Sequence, residues 1–147
     1  MTDLDLHRFI HQHYYGVLST HSASEPDYPF GSITPYIVTD SGDLAIFVSH
    51  LAEHTHNINK NPKVALTIFD VEDETTPSAG PRITCLADAY RAEEHTSLKA
   101  KYLEKFSDSD IILELDGFQF YILKLKKIRL VAGFGDVKWL TSEQFSL

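Results

Sequence analysis

The sequence is poor in cysteine, in basic residues over its first half and in long apolar runs, and each shortage excludes a class of protein. Its one cysteine, Cys85, excludes an internal disulfide and a cysteine-rich zinc site. Cys85 lies in the apolar run ITCLA, where a thiol is expected to be buried and inert. No stretch approaches the roughly 20 apolar residues that a membrane-spanning helix needs. The opening MTDLDLHRFI lacks the basic and long apolar regions of a secretory signal, so a cytoplasmic protein with no membrane partner is expected. The net charge is −8 over 147 residues, and residues 1–80 hold Arg8, Lys60 and Lys63 as their only Lys or Arg against 11 Asp or Glu. Such a chain lacks the basic face that neutralises nucleic-acid phosphates, and no nucleic-acid partner is expected.

What is present reads as a single domain spanning 1–147, mainly β with short added helices. Leu6, Phe9, Ile10 and Tyr14 recur at helical spacing. GVLSTH, FGSITPYIVT, LAIFVS, VALTIF and RITCLADAYR have strand composition, and Asp40-Ser41-Gly42-Asp43 reads as a hairpin turn with glycine where positive φ is needed. Leu98, Tyr102 and Phe106 share one helical face, and Ser107 is placed to cap a further short helix. FQFYILKLKKIRLV supplies one or two more strands, with only approximate alternation. The tail adds a strand and a helical turn opened by Thr141. Phe118, Phe120 and Tyr121 read as barrel core and dimer interface, and Lys124, Lys126, Lys127 and Arg129 as a solvated strand face. Gly133-Phe134-Gly135 suits a bulge or a close backbone approach. Six or seven mostly sequential strands separated by few helices suit an antiparallel sheet closed into a small barrel, because closure removes exposed edges.

Chemistry concentrates in Ser49–Val64, SHLAEHTHNINKNPKV, a strand end, a short helix and the helix-stopping Asn61-Pro62. A helix starting there presents unpaired N–H groups and the positive end of its dipole at residues 51–54, a ready anion site. Ser49, His54, Thr55 and Asn57 add side-chain donors, with Lys60, Lys63 and Arg82 as nearby cations. The same residues read equally well as capping and termination chemistry. A zinc reading fails, since His54 and His56 point to different helix faces and no third ligand is implied; no metal is expected.

Taken in order, GVLST, YPFGSITPY, LAIFVSHLAEHTHNINKNPKVAL, PRITCLADAYR and RLVAGFGDVKWL resemble the FMN-binding split-barrel superfamily, the relatives of pyridoxamine 5′-phosphate oxidase, and within it the haem-utilisation branch. The likeness runs from about Gly16 to Leu140. It implies a six- or seven-stranded antiparallel split β-barrel, a homodimer with cofactor at the subunit interface, and FMN as cofactor, with haem as the alternative. It also implies a small-molecule redox substrate, or haem itself. Gly31, Ser32 and Thr34 correspond to the strand along the flavin edge. Ser49, His54, Thr55 and Asn57 correspond to the phosphate-binding segment, and Arg82 to a strand start that approaches flavin or phosphate. The function so implied is that of an FMN-binding oxidoreductase, with haem binding, haem degradation or non-enzymatic carriage of flavin or tetrapyrrole as alternatives. Glu53 and His54 stand where the oxidases carry an arginine–lysine pair, and the oxidases' substrate-binding arginine–histidine–arginine tail is missing. The haem-degrading branch ligates iron through a late histidine. Here none follows His95, so His50, His54 or another residue would have to take that place. No side chain is singled out as catalytic.

Overall fold

The computed structural model describes residues 3–70, 80–132 and 136–144. Helix α1 (Asp3–Gln12) opens the chain and buries Leu6, Phe9 and Ile10. Tyr14 does not join them: it lies beyond the helix end, more than half exposed, with its ring edge against Phe106. Strands β1 (Tyr15–His21), β2 (Pro29–Pro35), β3 (Ile37–Val38) and β4 (Leu44–Ser49) follow, then helix α2 (Glu53–Lys60). Strands β5 (Lys63–Phe69) and β6 (Arg82–Arg91) lead into helices α3 (Thr96–Lys105) and α4 (Asp110–Leu113), and β7 (Phe118–Val131) and β8 (Val137–Thr141) complete the sheet.

The strands form one antiparallel sheet in the order β2-β1-β5-β6-β7-β4-β3, with β8 paired to β7. Its two end strands, β2 and β3, are consecutive in sequence, so the sheet must curl until its ends meet at Tyr36. That residue is fully buried, and its hydroxyl donates to the Ile10 carbonyl at 2.6 Å. The result is the expected split barrel, with eight strands among the described residues rather than six or seven. The extra one comes from the interruption at Pro35-Tyr36, which separates the two-residue β3 from β2. The β3–β4 turn has Gly42 at φ 86°, the positive value read from the sequence.

Strand β7 explains its own irregular pattern. Its first half is covered on both faces, with Tyr121, Leu123 and Leu125 in the barrel and Phe118, Phe120 and Ile122 under α3 and α4. A bulge then pairs Leu86 with Lys127 but Ala87 with Leu125, leaving Lys126 unmatched on β6. From there the inward positions change parity, to Ile128 and Leu130. Strand β4 is likewise covered twice, by the barrel interior at Leu44, Ile46 and Val48 and by α3 at Ala45 and Phe47. Leu98, Tyr102 and Phe106 of α3 form the expected apolar face. The short helix after it opens at Ser109, not at Ser107, because Ser109 turns back to bond the Phe106 carbonyl. Cys85 is fully buried, and burial pushes its thiol up to about 12.

Strands β1, β5 and β6 bury one face only. Gly16, Leu18 and Thr20 of β1 point inward, while Tyr15, Val17, Ser19 and His21 point outward. On this outward side Tyr15, Phe69, Leu86, Val137 and Trp139 are exposed, and so is Ile33 of β2 at 70%.

Candidate ligand site at the β4–α2 junction

The junction is first of all held to the fold by its own hydrogen bonds. The Ser49 carbonyl accepts from Thr55 Oγ1 at 2.6 Å and from the Ala52 amide at 3.2 Å, while Ser49 Oγ accepts from the Leu51 amide at 3.1 Å. Ser49 therefore shapes the turn, and the N-cap position falls on Ala52, which has no side-chain acceptor to offer. With the amides of Leu51 and Ala52 engaged, those of Glu53 and His54 remain as the donors of the helix start.

Asn57 is fully buried and clamps α2 to the barrel. Its Oδ1 accepts from the Ala23 amide at 2.8 Å, and its Nδ2 donates to Thr20 Oγ1 at 2.9 Å. Glu53 is exposed and accepts from Ser24 Oγ at 3.0 Å, so its carboxylate is drawn to the β1–β2 loop and does not plug the helix start.

His54 is different. Its Nδ1 lies 3.2 Å from Ser32 Oγ, whereas its Nε2 is buried and has no partner. Burial lowers its pKa below the ordinary 6.5, so the neutral imidazole prevails at neutral pH. A neutral ring with one nitrogen fixed by a hydroxyl and the other unsatisfied is chemically suited to accept a hydrogen bond or to ligate a metal ion.

The structure thus brings Ser32, Ser49, His54, Thr55 and Asn57 to one junction, but only Ser32 and His54 form a contact not already explained by holding the backbone in place. Thr34 is buried and bonds locally to the Pro35 carbonyl. Gly31 and Arg82 lie on the outward face of the sheet, alternating with the inward Ser32 and Ile83. Arg82 is also three residues along β6 from Cys85, which shares a row with Ser32 through Leu18 and Leu66. Lys60 reaches the Ala23 carbonyl at 3.4 Å, and Lys63 pairs with Asp88 at 2.6 Å. The cations expected around an anion are therefore engaged elsewhere. Thr20 and Ala23, the partners of Asn57, carry no signal in the sequence, since nothing local marks residues that meet only when α2 packs on β1 and the loop after it.

The outward face carries a second feature, an open cleft of about 390 Å³ bounded by Ser19, His21, Pro29, Ala65, Leu86 and Lys126. Nearby, Lys127 and Arg129 lie over the Trp139 ring at 4.7 and 5.3 Å. The strand face read as solvated is in part an aromatic–cation stack. Gly133-Phe134-Gly135 lies outside the described residues.

A curled antiparallel sheet with a helix docked at the β4 exit is the split-barrel class. The chain belongs to the CREG β-barrel family, whose model matches residues 7–146. Among curated proteins it is 34% identical over 134 residues to the non-canonical heme oxygenase HOZ, chloroplastic, of Arabidopsis thaliana, covering 89% of this chain and 40% of that protein. It is 29% identical over 115 residues to the heme oxygenase HutZ of Vibrio cholerae, covering 73% of this chain and 64% of HutZ. The chain thus spans less than two thirds of either relative. The fold matches a heme-binding protein from Mycobacterium smegmatis with TM-score 0.79 at 25% identity, over 90% of this chain and 54% of the other. Campylobacter jejuni ChuZ matches in fold with TM-score 0.81 at 23% identity, over 98% and 61%. The resemblance to the haem-utilisation branch of the split barrels is borne out by these relatives.

Proposed function

We propose that this chain binds haem and takes part in its utilisation, working as a homodimer. The observation that carries the reading is the 34% identity to a heme oxygenase across 89% of this chain. FMN, the first cofactor implied by the sequence resemblance, gives way to haem, because both curated relatives are named for heme chemistry.

The residues at the junction fit such a ligand. Haem carries two carboxylates, and the Glu53 and His54 amides at the start of α2 offer donors to an anion whether it is a carboxylate or a phosphate. The unsatisfied Nε2 of His54 supplies the neutral imidazole that haem iron takes as a ligand. Ser32 holds that ring through Nδ1. Haem, when bound, supplies the redox-active iron; the chain positions it and limits its exposure to water. Degradation of the bound haem is the finer reading, in keeping with the names of both curated relatives.

The outward sheet face supplies the dimer. Its exposed Tyr15, Ile33, Phe69, Leu86, Val137 and Trp139 gather apolar area of the kind that marks an association surface.

The test is optical titration of the purified chain with haem and, separately, with FMN. A saturable Soret band at about one haem per chain, weakened or shifted in His54→Ala and unchanged in His56→Ala, is the expected result. No Soret shift with haem overturns the reading. Flavin fluorescence quenching on FMN addition, without a haem response, would restore the flavoprotein alternative.

A further inference from the structure

The outer surface of α3 and α4 carries an apolar patch with no cover. In the run Asp110-Ile111-Ile112-Leu113-Glu114-Leu115, the single turn of α4 faces only Leu113 inward, against the cluster of Leu98, Tyr102 and Phe120. Ile111 is left 75% exposed, Leu115 49% and Ile112 37%. The Leu115 amide donates to the Ile112 carbonyl at 3.1 Å, so the chain keeps turning past the helix and Leu115 stays beside Ile112. Lys99 of α3 reaches Glu114 at 3.9 Å, and Leu103, one turn further along α3 and 39% exposed, extends the patch. Single exposed aliphatics are ordinary, but four within the 13 residues 103–115, on adjoining turns, mark an association surface.

The rim of the patch has one sign. Residues 103–118 hold five carboxylates, Glu104, Asp108, Asp110, Glu114 and Asp116, against Lys105 alone. Lys105 turns away from the rim: its Nζ donates to the Tyr36 carbonyl at 3.0 Å and lies 4.0 Å from the centroid of the Tyr36 ring. Lys101 is held by Asp40 at 2.8 Å. Among the described residues only Lys99 answers the rim, through Glu114, and no cation pairs with Glu104, Asp108, Asp110 or Asp116. This charge selects the occupant. A second copy presenting the same patch would set carboxylates against carboxylates. An anionic membrane surface is repelled as well. A helix with aliphatic side chains on one face and Lys or Arg along its edges matches both the apolar centre and the acidic rim. The patch lies over the β3-β4-β7 flank, apart from the outward side of β1, β5 and β6, and stays open in the proposed dimer.

We infer that α3 and α4 form a docking surface for a basic amphipathic helix of another protein. Aliphatic side chains of that helix cover Leu103, Ile111, Ile112 and Leu115, and its Lys or Arg side chains reach Glu104, Asp108, Asp110 and Asp116. The apolar contact supplies most of the affinity, while the carboxylates set orientation and speed association. The surface shares no residue with the β4–α2 junction and stands or falls independently of haem binding.

The test uses the full chain and a fluorescent peptide of leucine and lysine, about 15 residues long, whose leucines fall on one helical face. Anisotropy should show saturable binding, and amide chemical shifts of the wild-type chain should move around Leu103 and residues 110–116 but not along β1, β5 or β6. Ile111→Ser with Leu115→Ser removes two exposed aliphatics, should fold, and should weaken binding at least about tenfold. Glu104→Lys with Glu114→Lys should weaken it comparably. Glu25→Lys with Glu143→Lys changes the net charge equally at a distance and should leave affinity within about twofold. Where a variant fails to fold, the wild-type shift map decides. Equal binding of a peptide with the same composition but scattered leucines, or losses that follow net charge wherever it is changed, overturns the proposal as mere attraction to an acidic chain. Shifts centred outside α3 and α4 overturn it too. Binding of the free chain to phosphatidylcholine vesicles, or its growth beyond a dimer, abolished in either case by Ile111→Ser, assigns the patch to a membrane or a second copy and equally overturns it.

Discussion

Two side chains carry the argument at the residue scale, and they make opposite use of burial. Asn57 is buried and satisfied through both ends of its amide, so truncation leaves the half-buried Ala23 N–H without its acceptor and removes the donor to the buried Thr20 hydroxyl. Asn57→Ala should cost about 1–3 kcal/mol, read as a lower urea midpoint with an unchanged slope. Asn57→Asp keeps the acceptor for Ala23, loses the donor to Thr20 and buries a charge, and should be no better. His54 is buried and half-satisfied, and it ties stability to pH. Its folded pKa lies below the 6.5 of the unfolded chain, so between those two values the unfolded state binds more protons. The stability it contributes is complete above 6.5 and is lost as pH falls through the folded value. Urea midpoints measured from about pH 7.5 to about pH 5 should fall on acidification, and the fall should be shallower in His54→Gln, which cannot titrate. Equal slopes in the two proteins would show that some other group governs the acid limb.

Elements were legible where one physical rule acted alone. Asn61-Pro62 stops α2 after Lys60 because the residue before a proline is driven out of the helical region, and Asn61 has φ −142°. Gly42 marks the hairpin for a similar local reason. Composition marks β1 and β5 as strands and alternation marks β6, while the structure adds which residues of each turn inward. Legibility failed where a second rule, written elsewhere in the chain, intervened. The pattern of β7 blurs because α3 covers its first half and a bulge at Lys126 flips its second. Ser49 and Ser107 both look like caps, yet neither caps a helix, since tertiary packing sets where each helix starts. At the candidate site, the sequence located the junction but could not rank its polar residues. Thr55 and Asn57 both read as ligand donors, but Thr55 Oγ1 donates to the nearby Ser49 carbonyl and Asn57 pairs across the fold with Ala23 and Thr20. The anomaly of His54 is the lack of a partner for Nε2, which only the folded surroundings reveal.

For the whole molecule the governing fact is asymmetry of cover. The barrel interior is closed by α1 and α2, and the β3-β4-β7 flank by α3 and α4, but no described element lies over the outward side of β1, β5 and β6. Leu86 sits there beside the β6–β7 bulge and Phe69 ends β5, both exposed, on the face that also carries Trp139 and its two cations. A stable dimer buries about 1,200–2,000 Å² in total, and a sheet face several strands wide can supply that area. Placing a charge in the middle of this face tests whether it does. Phe69→Glu and Leu86→Glu remove no core packing, so each variant should keep its circular dichroism and lose little thermal stability as a monomer. Sedimentation velocity at micromolar concentration should show the wild-type chain as a dimer and each variant shifted to monomer, because an unpaired carboxylate in an apolar interface costs more than its own side-chain contacts contribute. If haem sits between subunits, haem affinity should fall in step with the dimer fraction and recover at high protein concentration. If instead haem affinity holds while the dimer dissociates, the ligand belongs to each chain alone, and His54 with its helix-start amides must hold it without help from the partner.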